Sequence, residues 1–437
     1  MKRRRGAFAM VGLVLLFVVV GTAGAASRES VQYAFHGKDG NVPSSVMLGA
    51  DGALYGTTIQ GGANACLGQG CGVVFQLKRG SNGKWHETVL HSFTGKDGEF
   101  PSGTLVADKN GNLYGTTPDG GPSCSQLGCG VVFELVHGNG GKWTFKVLHN
   151  FAITDGANPY AGMISDSQGN LYGTTSSGGN VSACPNEGGC GVVFELTPTG
   201  NGNWAETVVY EFSGTDGGGP MGPVTFDSSG NLYGTTSYGG NKKWGTVFEL
   251  TPGRNGQWSE QVLHSFSFGT KDGSEPEGGL TFDGSGNLLG ATINGGTKGQ
   301  QGWGTAFELT VQTGGKWKET ILRAFDEHKI EGGDPTSDLI PDGTGNLYGV
   351  TEAGGGYACP GSGGVGCGVA FKLTRKASGT WREVVLHSFG KGGDGAFPGS
   401  LTRDSSGRLF GSTGGGGFVG GACGATDGCG VVFQITP

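Results

Sequence analysis

The chain carries little charge, and beyond its first residues it has no cluster of basic side chains. Charged residues make up 15% of its 437 residues, and the formal net charge is −7 at pH 7. Because nucleic-acid-binding proteins neutralise phosphates with clustered Lys and Arg, the sequence predicts no nucleic-acid partner. The chain also lacks helical periodicity, a glycine-rich phosphate loop, a nucleophile elbow and a His-Glu-x-x-His motif. A helical fold and several common classes of enzyme are therefore not expected.

Glycine is abundant, because the chain contains 95 glycines. Such a content can indicate low complexity or disorder. Hydrophobic residues nevertheless make up 35% and aromatic residues 10% of the chain, and both recur at regular intervals. The composition therefore predicts a folded repeat protein with enough apolar surface for a core.

Residues 1–25 have the three parts of a secretory signal peptide. Residues 2–5 are basic, an apolar run follows, and Ala23-Gly24-Ala25 is a small-residue cleavage pattern. The alternative is a transmembrane anchor, but the apolar run is short for a span of about 20 residues. We expect cleavage after Ala25, a secreted protein in the extracellular space or periplasm, and no membrane span in residues 26–437.

The motif Gly-Asn-Leu-Tyr-Gly-Thr-Thr recurs, with variations, seven times. Its Tyr position is occupied by Tyr55, Tyr114, Tyr172, Tyr233, Leu289, Tyr348 and Phe410. Successive copies are 59, 58, 61, 56, 59 and 62 residues apart. Each repeat offers four runs of strand length, named a to d, joined by turns rich in Asp, Asn and Gly. Strand a resembles Leu-Val-Ala-Asp (Leu105 to Asp108), and strand b is Leu-Tyr-Gly-Thr-Thr. Strand c resembles Val-Val-Phe-Glu-Leu, and strand d resembles Trp-x-x-x-Val-Leu-His-x-Phe.

Four antiparallel strands joined by hairpins and repeated four to eight times are typical of a β-propeller. The sequence therefore predicts an all-β fold in which residues 26–437 form a single seven-bladed β-propeller. The last repeat ends after strand c, whereas Ser30 to Phe35 matches strand d. We expect this N-terminal strand to close the last blade, which removes exposed sheet edges. An open β-solenoid, the runner-up fold, would gain nothing from that exchange.

The repeat resembles the GloVer tandem repeat, which is named for Gloeobacter and Verrucomicrobia. The resemblance rests on the Leu-Tyr-Gly-Thr-Thr, Gly-Gly, Gly-Val-Val-Phe-Glu-Leu and Val-Leu-His-Ser-Phe segments and covers all seven copies. It implies an exported bacterial protein with varied means of surface attachment, and it transfers no catalytic residues. The anchor that some members carry is not visible in this sequence, and copies four and five lack the cysteines.

The ten cysteines form five close pairs in the loops between strands b and c. The pairs are Cys66 with Cys71, Cys124 with Cys129, Cys184 with Cys190, Cys359 with Cys367, and Cys423 with Cys429. Repeats four and five lack both members, and Trp244 and Trp303 replace the second one. Because export supplies an oxidising compartment, we expect five disulfides. Metal binding by thiolates is the alternative, but it needs four converging ligands, and we predict no metal and no cofactor.

The b–c and d–a loops of a propeller share one face of the disc, which we call the loop face. The Asp-Gly sequences of the d–a loops predict a ring of acidic residues there, at Asp39, Asp97, Asp155, Asp216, Asp272, Glu331 and Asp394. Such a ring suits cations or sugar hydroxyls, although Asp-Gly is also a common turn sequence. The His and Trp residues of strand d recur once per blade, and we interpret both sets as structural.

Repeats four to six depart most from the common pattern, and a repeat protein reveals a binding site where its copies differ. The candidate ligand-binding residues are Tyr238, Trp244, Trp303, His328, Glu331 and Asp334. Exposed aromatic rings beside mixed charges suit a sugar or a peptide. The alternative is that the two Trp residues only fill the space of a disulfide.

Near-identical repetition favours binding over catalysis, because an active site needs different residues at different places. We therefore expect an exported, non-catalytic binding or scaffold protein whose partner is an extracellular glycan or protein. The alternative is a secreted propeller enzyme, such as a glycan-active hydrolase or lyase.

Cleavage of the signal peptide is directly testable. Expression in a bacterial host should yield a chain that begins at Ala26, as measured by intact mass and N-terminal sequencing. The variant Ala25→Arg should keep residues 1–25, because signal peptidase requires a small residue before the cut. An unprocessed wild-type chain would instead identify the segment as a membrane anchor.

Overall fold

The computed structural model describes residues 27–437 except 64–65, 123, 125–127, 270–271, 297–301, 327–330, 360–364, 421–422 and 424–427. The signal peptide predicted for residues 1–25 lies outside the described residues. Within the described ranges, no helix has the length and apolar character needed to cross a membrane. The helices found there are short 3-10 turns at Cys66–Gly68, Asn139–Gly141, Pro185–Glu187 and Arg254–Gly256.

Seven four-stranded antiparallel sheets form the blades of a β-propeller. The chain begins with β1 (Arg28–Ala34). Blades 1 to 3 contain β2 (Asn41–Leu48), β3 (Leu54–Gln60), β4 (Val73–Arg79), β5 (Trp85–Ser92), β6 (Val106–Ala107), β7 (Leu113–Thr117), β8 (Val131–His137), β9 (Trp143–Asn150), β10 (Ile164–Ser165), β11 (Leu171–Thr175), β12 (Val192–Gly200) and β13 (Asn203–Glu211).

The remaining blades repeat this arrangement. They contain β14 (Thr225–Phe226), β15 (Leu232–Thr236), β16 (Thr246–Pro252), β17 (Trp258–Ser265), β18 (Gly273–Ser274), β19 (Thr281–Phe282), β20 (Leu288–Thr292), β21 (Asn294–Gly295), β22 (Thr305–Val311), β23 (Trp317–Ala324), β24 (Gly332–Gly333), β25 (Ile340–Pro341), β26 (Asn346–Thr351), β27 (Ala353–Gly354), β28 (Val369–Arg375), β29 (Trp381–Ser388), β30 (Ala396–Arg403), β31 (Leu409–Gly415) and β32 (Val431–Thr436). The short pairs β18–β21 and β24–β27 join loops on the loop face.

Strand b is buried along its Leu-Tyr-Gly-Thr-Thr motif, because neighbouring blades cover both of its faces. Strand d is the outermost strand and is only half-buried, which agrees with its alternation of apolar and polar residues. The Trp that begins strand d packs against the previous blade, as in Trp143 against Tyr55 and Trp204 against Tyr114, with ring centroids 6.0 and 5.8 Å apart. These contacts show the structural role expected for the repeat Trp residues.

Pairs of phenylalanines join the blades around the ring. The Phe at the end of strand d meets the Phe of strand c in the next blade, with ring centroids 4.8–5.3 Å apart at all seven junctions. Tilted and edge-to-face contacts at this spacing add to the burial of apolar area. The core is therefore a ring of seven similar interblade clusters.

The N-terminal strand closes the ring, as the sequence predicts. The seventh sheet has the order β1-β32-β31-β30, and the register of β1 on β32 runs from Arg28 opposite Thr436 to Ala34 opposite Val431. Phe35 follows β1, is fully buried and meets Phe75 of blade 1 at 5.0 Å. The closing strand therefore supplies the last interblade contact as well as the last strand.

The five predicted disulfides are all present, with Cα–Cα distances of 4.8–5.6 Å. Among the described residues, which include all ten cysteines, none has a free thiol. Each bond lies within one b–c loop, on the loop face.

Substitutions in the closing segment test how much the ring depends on it. Phe35→Ala should lower the free energy of unfolding by about 3–5 kcal/mol, because it leaves a cavity at the junction of blades 7 and 1. Val31→Ala, on the half-exposed side of the same strand, should change it by less than about 1 kcal/mol. Denaturant unfolding measures both values. Equal effects would mean that the segment does not complete the core.

Candidate functional site

The residue before the proline that starts each strand a has a left-handed backbone conformation. Its φ angle lies between 55° and 61° in all seven blades. We call these residues the mouth ring: Val42, Phe100, Asn158, Gly219, Glu275, Asp334 and Phe397. This conformation is uncommon for residues other than glycine and is costly for bulky or β-branched side chains. It therefore requires support from the surrounding structure.

A hydrogen bond to the preceding blade supplies that support. The N–H of each mouth-ring residue donates to the carbonyl at the second-cysteine position, with N···O distances of 2.9–3.1 Å. Phe100 donates to Cys71 in this way, and Glu275 donates to Trp244. The following proline packs on the glycine after that Cys or Trp, where an added Cβ would come within 2.5–2.8 Å of the proline Cδ. At every blade junction, a Cys-Gly or Trp-Gly dipeptide of one blade therefore packs against the mouth-ring residue and proline of the next blade.

Two residues after each mouth-ring residue, the chain lines a narrow channel between the seven blades. The channel cavity has a volume of about 170 Å³ and is lined by all seven blades, with Tyr160, Glu277 and Asp338 among the lining residues. The ring is apolar on blades 7, 1 and 2, where it carries Phe397, Val42 and Phe100. It is polar or glycine on blades 3 to 6. Residues with the same backbone conformation therefore make the mouth chemically asymmetric.

Carboxylates gather on the polar side, and we call Glu275, Glu277, Asp334 and Glu352 the acidic arc. Burial raises the pKa of Glu277, and the Glu275 and Glu352 carboxylates raise it further. Burial together with the Glu352 carboxylate raises the pKa of Asp334 to about 6. Asn294 Nδ2 donates to Glu275 Oε2 at 2.8 Å. The arc can accept hydrogen bonds from hydroxyl or ammonium groups, and Asp334 can exchange a proton near neutral pH.

A second polar group lies at blades 2 and 3. Asn158 Nδ2 donates to Asp119 Oδ1 at 3.1 Å, and Ser177 Oγ donates to Asn158 Oδ1 at 2.7 Å. Burial raises the pKa of both Asp119 and Glu99, and the Asp119 carboxylate raises that of Glu99 further. The mouth therefore has acidic groups on two separate sectors.

Exposed aromatic side chains also concentrate on the loop face. Among the described residues, the exposed aromatic side chains are Tyr160, Trp244, Phe268, Tyr357 and Phe418. All five belong to b–c loops, d–a loops or the start of a strand a. Trp244 is 37% exposed and contacts Phe268 with ring centroids 4.7 Å apart. Flat apolar surface is thus presented on the loop face, and Trp244 adjoins the acidic arc through the hydrogen bond from Glu275 N–H to its carbonyl.

The structure separates the two Trp residues that sequence reasoning placed together. Trp303 is half-buried against the core between blades 5 and 6, and its ring covers Gly333. Its carbonyl accepts the N–H of Asp334 at 3.0 Å. Tyr238 is also half-buried, with its ring over Gly218 and its hydroxyl 3.3 Å from the Gly189 carbonyl. Of these three side chains, Trp244 is the exposed one.

The acidic ring predicted from the Asp-Gly loops lies at the outer edge of the disc and is tied to strand d. Each acidic residue faces the His, Tyr or Arg of strand d in its own blade and, at six of seven junctions, a Glu of strand d in the next blade. We call these groups rim clusters: Tyr33/Asp39/Glu87, His91/Asp97/Phe145, His149/Asp155/Glu206, Tyr210/Asp216/Glu260, His264/Asp272/Glu319, Arg323/Glu331/Glu383 and His387/Asp394/Glu29. Glu331 forms an ion pair with Arg323, which removes it from the mouth. His328 lies outside the described residues.

Comparisons with known proteins agree with this architecture. A family model for the Gloeobacter/Verrucomicrobia repeat matches residues 18–224 and 185–420. The chain belongs to the Gloeobacter/Verrucomicrobia repeat family. No curated protein matches this chain in sequence.

Solved structures similar to this repeat-family chain are distant in sequence. A candidate 6-phosphogluconolactonase from Bacteroides uniformis is 13% identical, with 90% of this chain and 100% of that chain covered and a TM-score of 0.53. A gluconolactonase from Xanthomonas campestris is 12% identical, with 94% and 89% covered and a TM-score of 0.41. At this identity the first likeness supports the propeller fold alone.

Sequence reasoning missed most of the mouth of this repeat-family protein. It identified Asp334 but not the six equivalent residues, nor Glu277, Glu352 and Tyr160. A signal existed, because the residue before the proline differs in nearly every copy while the proline is constant. Such variation beside a constant proline indicates that the fold does not dictate the side chain at this position, and it could have marked the position as a candidate for ligand contact.

Two rim clusters predict how stability depends on pH. Tyr33 Oη donates to Asp39 at 2.6 Å and Tyr210 Oη to Asp216 at 2.7 Å. Burial, and then the adjacent Asp, raises the pKa of Glu87 and of Glu260 from 4.5 to about 7. The folded state therefore holds extra protons between these values, so the free energy of unfolding falls as pH rises through this window.

The double variant Glu87→Gln, Glu260→Gln removes both ionisations. It should match the wild type near pH 5 and be more stable than the wild type near pH 8, because only the wild type must charge two buried carboxyls. Thermal melting in EDTA at the two pH values measures the difference. An equal shift at both pH values would contradict the assigned pKa changes.

Proposed function

We propose that this protein is an exported, non-catalytic binding module that recognises an extracellular glycan through its loop face. The observation that carries the proposal is that all five exposed aromatic side chains of the described residues belong to segments of the loop face, the face that also carries the acidic arc. Aromatic rings stack on the apolar faces of sugars, while carboxylates accept their hydroxyl protons. The propeller supplies a rigid scaffold, and loops on rigid scaffolds commonly carry recognition.

Export is part of the proposal and is supported by two features. Five disulfides suit an oxidising compartment, and residues 1–25 have the pattern of a signal peptide. A protein partner remains a possible outcome of the test, because aromatic side chains are also enriched in protein interfaces.

An enzyme is the second candidate, and the environment of Asp334 favours it. With its pKa raised to about 6, Asp334 can act as a general acid near neutral pH, beside carboxylates of the acidic arc. A glycan-active hydrolase or lyase fits that chemistry. Because the Bacteroides structure is described as a candidate lactonase, sugar lactones belong in the substrate panel.

The test is a binding screen of the purified protein against immobilised polysaccharides, followed by two matched substitutions. Trp244→Ala should weaken binding about tenfold, the size expected for one lost stacking contact, with an unchanged melting temperature. Trp303→Ala should instead lower stability by roughly 3 kcal/mol, because its ring packs in the core. Intact binding by Trp244→Ala would count against this face.

Two further outcomes distinguish the alternatives. Capture of a protein, with no glycan bound, would replace the glycan by a protein partner. Turnover of a glycan or lactone that Asp334→Asn abolishes, without loss of folding, would establish the enzyme.

A further inference from the structure

Three of the seven rim clusters bring a His, an Asp and a Glu together between neighbouring blades. They are His149/Asp155/Glu206, His264/Asp272/Glu319 and His387/Asp394/Glu29, and we call them the His clusters. In each, one imidazole nitrogen and one oxygen from each carboxylate lie within 4.8 Å of one another. The distances from His Nε2 to the Asp oxygen are 3.3, 3.1 and 2.8 Å. In the clusters of His264 and His387 these are hydrogen-bond distances. Ligand atoms about 2.0–2.2 Å from a tetrahedral Zn²⁺ would lie roughly 3.3–3.6 Å apart, so a small outward shift of the side chains would admit an ion.

Each His cluster contains a buried carboxylate oxygen that lacks a partner. Oε1 of Glu29, of Glu206 and of Glu319 is shielded from solvent and accepts no hydrogen bond within the described residues. His149 Nε2 is likewise shielded from solvent and lies 3.3 Å from Asp155 Oδ2. Buried polar groups without a partner are costly unless something satisfies them. Oε1 of Glu87 and of Glu260, in the two Tyr clusters, is also buried without a partner, so the feature that sets the His clusters apart is the imidazole nitrogen beside that oxygen.

The Asp of each His cluster is held in a fixed orientation. Asp155 accepts the N–H of Ala152 at 2.7 Å, and Asp394 accepts the N–H of Lys391 at 2.7 Å. Asp272 accepts that of Ser267 at 2.9 Å. Hydrogen bonds that orient a carboxylate in this way are typical of the surroundings of metal ligands.

The other rim clusters show what replaces a cation. Arg323 places its guanidinium between two carboxylates, pairing with Glu331 and, through Nε, with Glu383 Oε2 at 2.8 Å. In the cluster of His91, Phe145 stands in the place of the Glu and stacks on the imidazole at 3.7 Å. The chain therefore supplies a cation at one junction and lacks the second carboxyl group at another. The two Tyr clusters keep both carboxyl groups, and there the Tyr hydroxyl donates to the Asp.

The His clusters differ from these cases in the imidazole nitrogen that they place beside the two carboxyl groups. In the described part of the chain, the one Lys or Arg that pairs with a His cluster is Lys242, whose Nζ lies 3.6 Å from Asp272 Oδ2. A divalent cation held by that nitrogen and the two carboxyl groups would supply the positive charge that the Arg323 guanidinium supplies at its own junction.

We propose that the three His clusters each bind one divalent transition-metal ion of the Zn²⁺ class through His Nε2 and the Asp and Glu carboxylates. One nitrogen and two carboxylates suit Zn²⁺ better than Ca²⁺, which prefers oxygen ligands alone. Each ion would join strand d of one blade to strand d of the next. The site with Glu29 would fasten the closing strand β1 to blade 6. The sequence led us to predict no metal, because the thiols and the acidic ring were each considered alone, without the strand-d His and Glu that pack beside the Asp residues of that ring.

The first test is metal stoichiometry. The purified protein, with its disulfides intact, is stripped with EDTA, dialysed and titrated with Zn²⁺ by calorimetry, and bound zinc is measured by mass spectrometry. We expect two to three ions per chain, with the site beside Lys242 the weakest. Retention of less than one ion per chain would overturn the proposal.

The second test assigns the ions to residues. Glu206→Gln should remove one ion per chain, and Glu206→Gln combined with Glu29→Gln should remove two. Glu87→Gln is the matched control, because it changes the same position beside Tyr33 and should leave the zinc content unchanged. If Glu206→Gln does not fold, as judged by circular dichroism, His149→Gln replaces it. Unchanged stoichiometry in the folded variants, or an equal loss in the control, would refute these sites.

Discussion

One kind of contact recurs at all seven junctions between neighbouring blades, and the arrangement of the inner strands depends on it. The N–H of each mouth-ring residue donates to the carbonyl of a Cys or Trp in the preceding blade, and the next residue, a proline, packs on the glycine beside that carbonyl. The contact fixes the start of strand a, and thereby the channel and the direction of the mouth-ring side chains. It also explains why a left-handed backbone persists at residues as bulky as Phe100 and Val42.

Because this contact uses a backbone carbonyl, it does not depend on the side chain beside it. Cys71 and Trp244 supply the same acceptor, although one is in a disulfide and the other presents an exposed ring. Blades 4 and 5 can therefore lose their disulfides without losing the junction. The same independence applies to the mouth ring, where Glu275 and Phe397 share one backbone geometry but offer opposite chemistry. The backbone of these residues thus forms the junction, while their side chains can differ from blade to blade.

The fold was predictable because its signals are local and repeated. The Leu-Tyr-Gly-Thr-Thr motif, the hairpin turns and the strand-d match at Ser30 to Phe35 each lie within a few residues, and all were confirmed. The disulfides followed from cysteines that are present or absent in pairs. The mouth was not predictable in the same way, because residues before proline usually adopt extended conformations. The left-handed state of Asp334 depends on the Trp303 carbonyl, which the sequence does not mark as an acceptor.

The rim clusters were hidden for a related reason, since each combines residues from two blades. Glu206 and His149 are more than fifty positions apart, and Glu29 and His387 lie near opposite ends of the chain. Read singly, these residues look like ordinary strand positions, and only ring closure brings β1 beside β29. The junctions therefore contain two kinds of contact: the buried phenylalanines of strands c and d inside the junction, and the charged groups of the rim clusters at its outer edge. The apolar contacts do not titrate, whereas Glu87 and Glu260 at the edge take up protons as the pH falls toward and below about 7. The pH dependence of this propeller's stability therefore arises at its circumference.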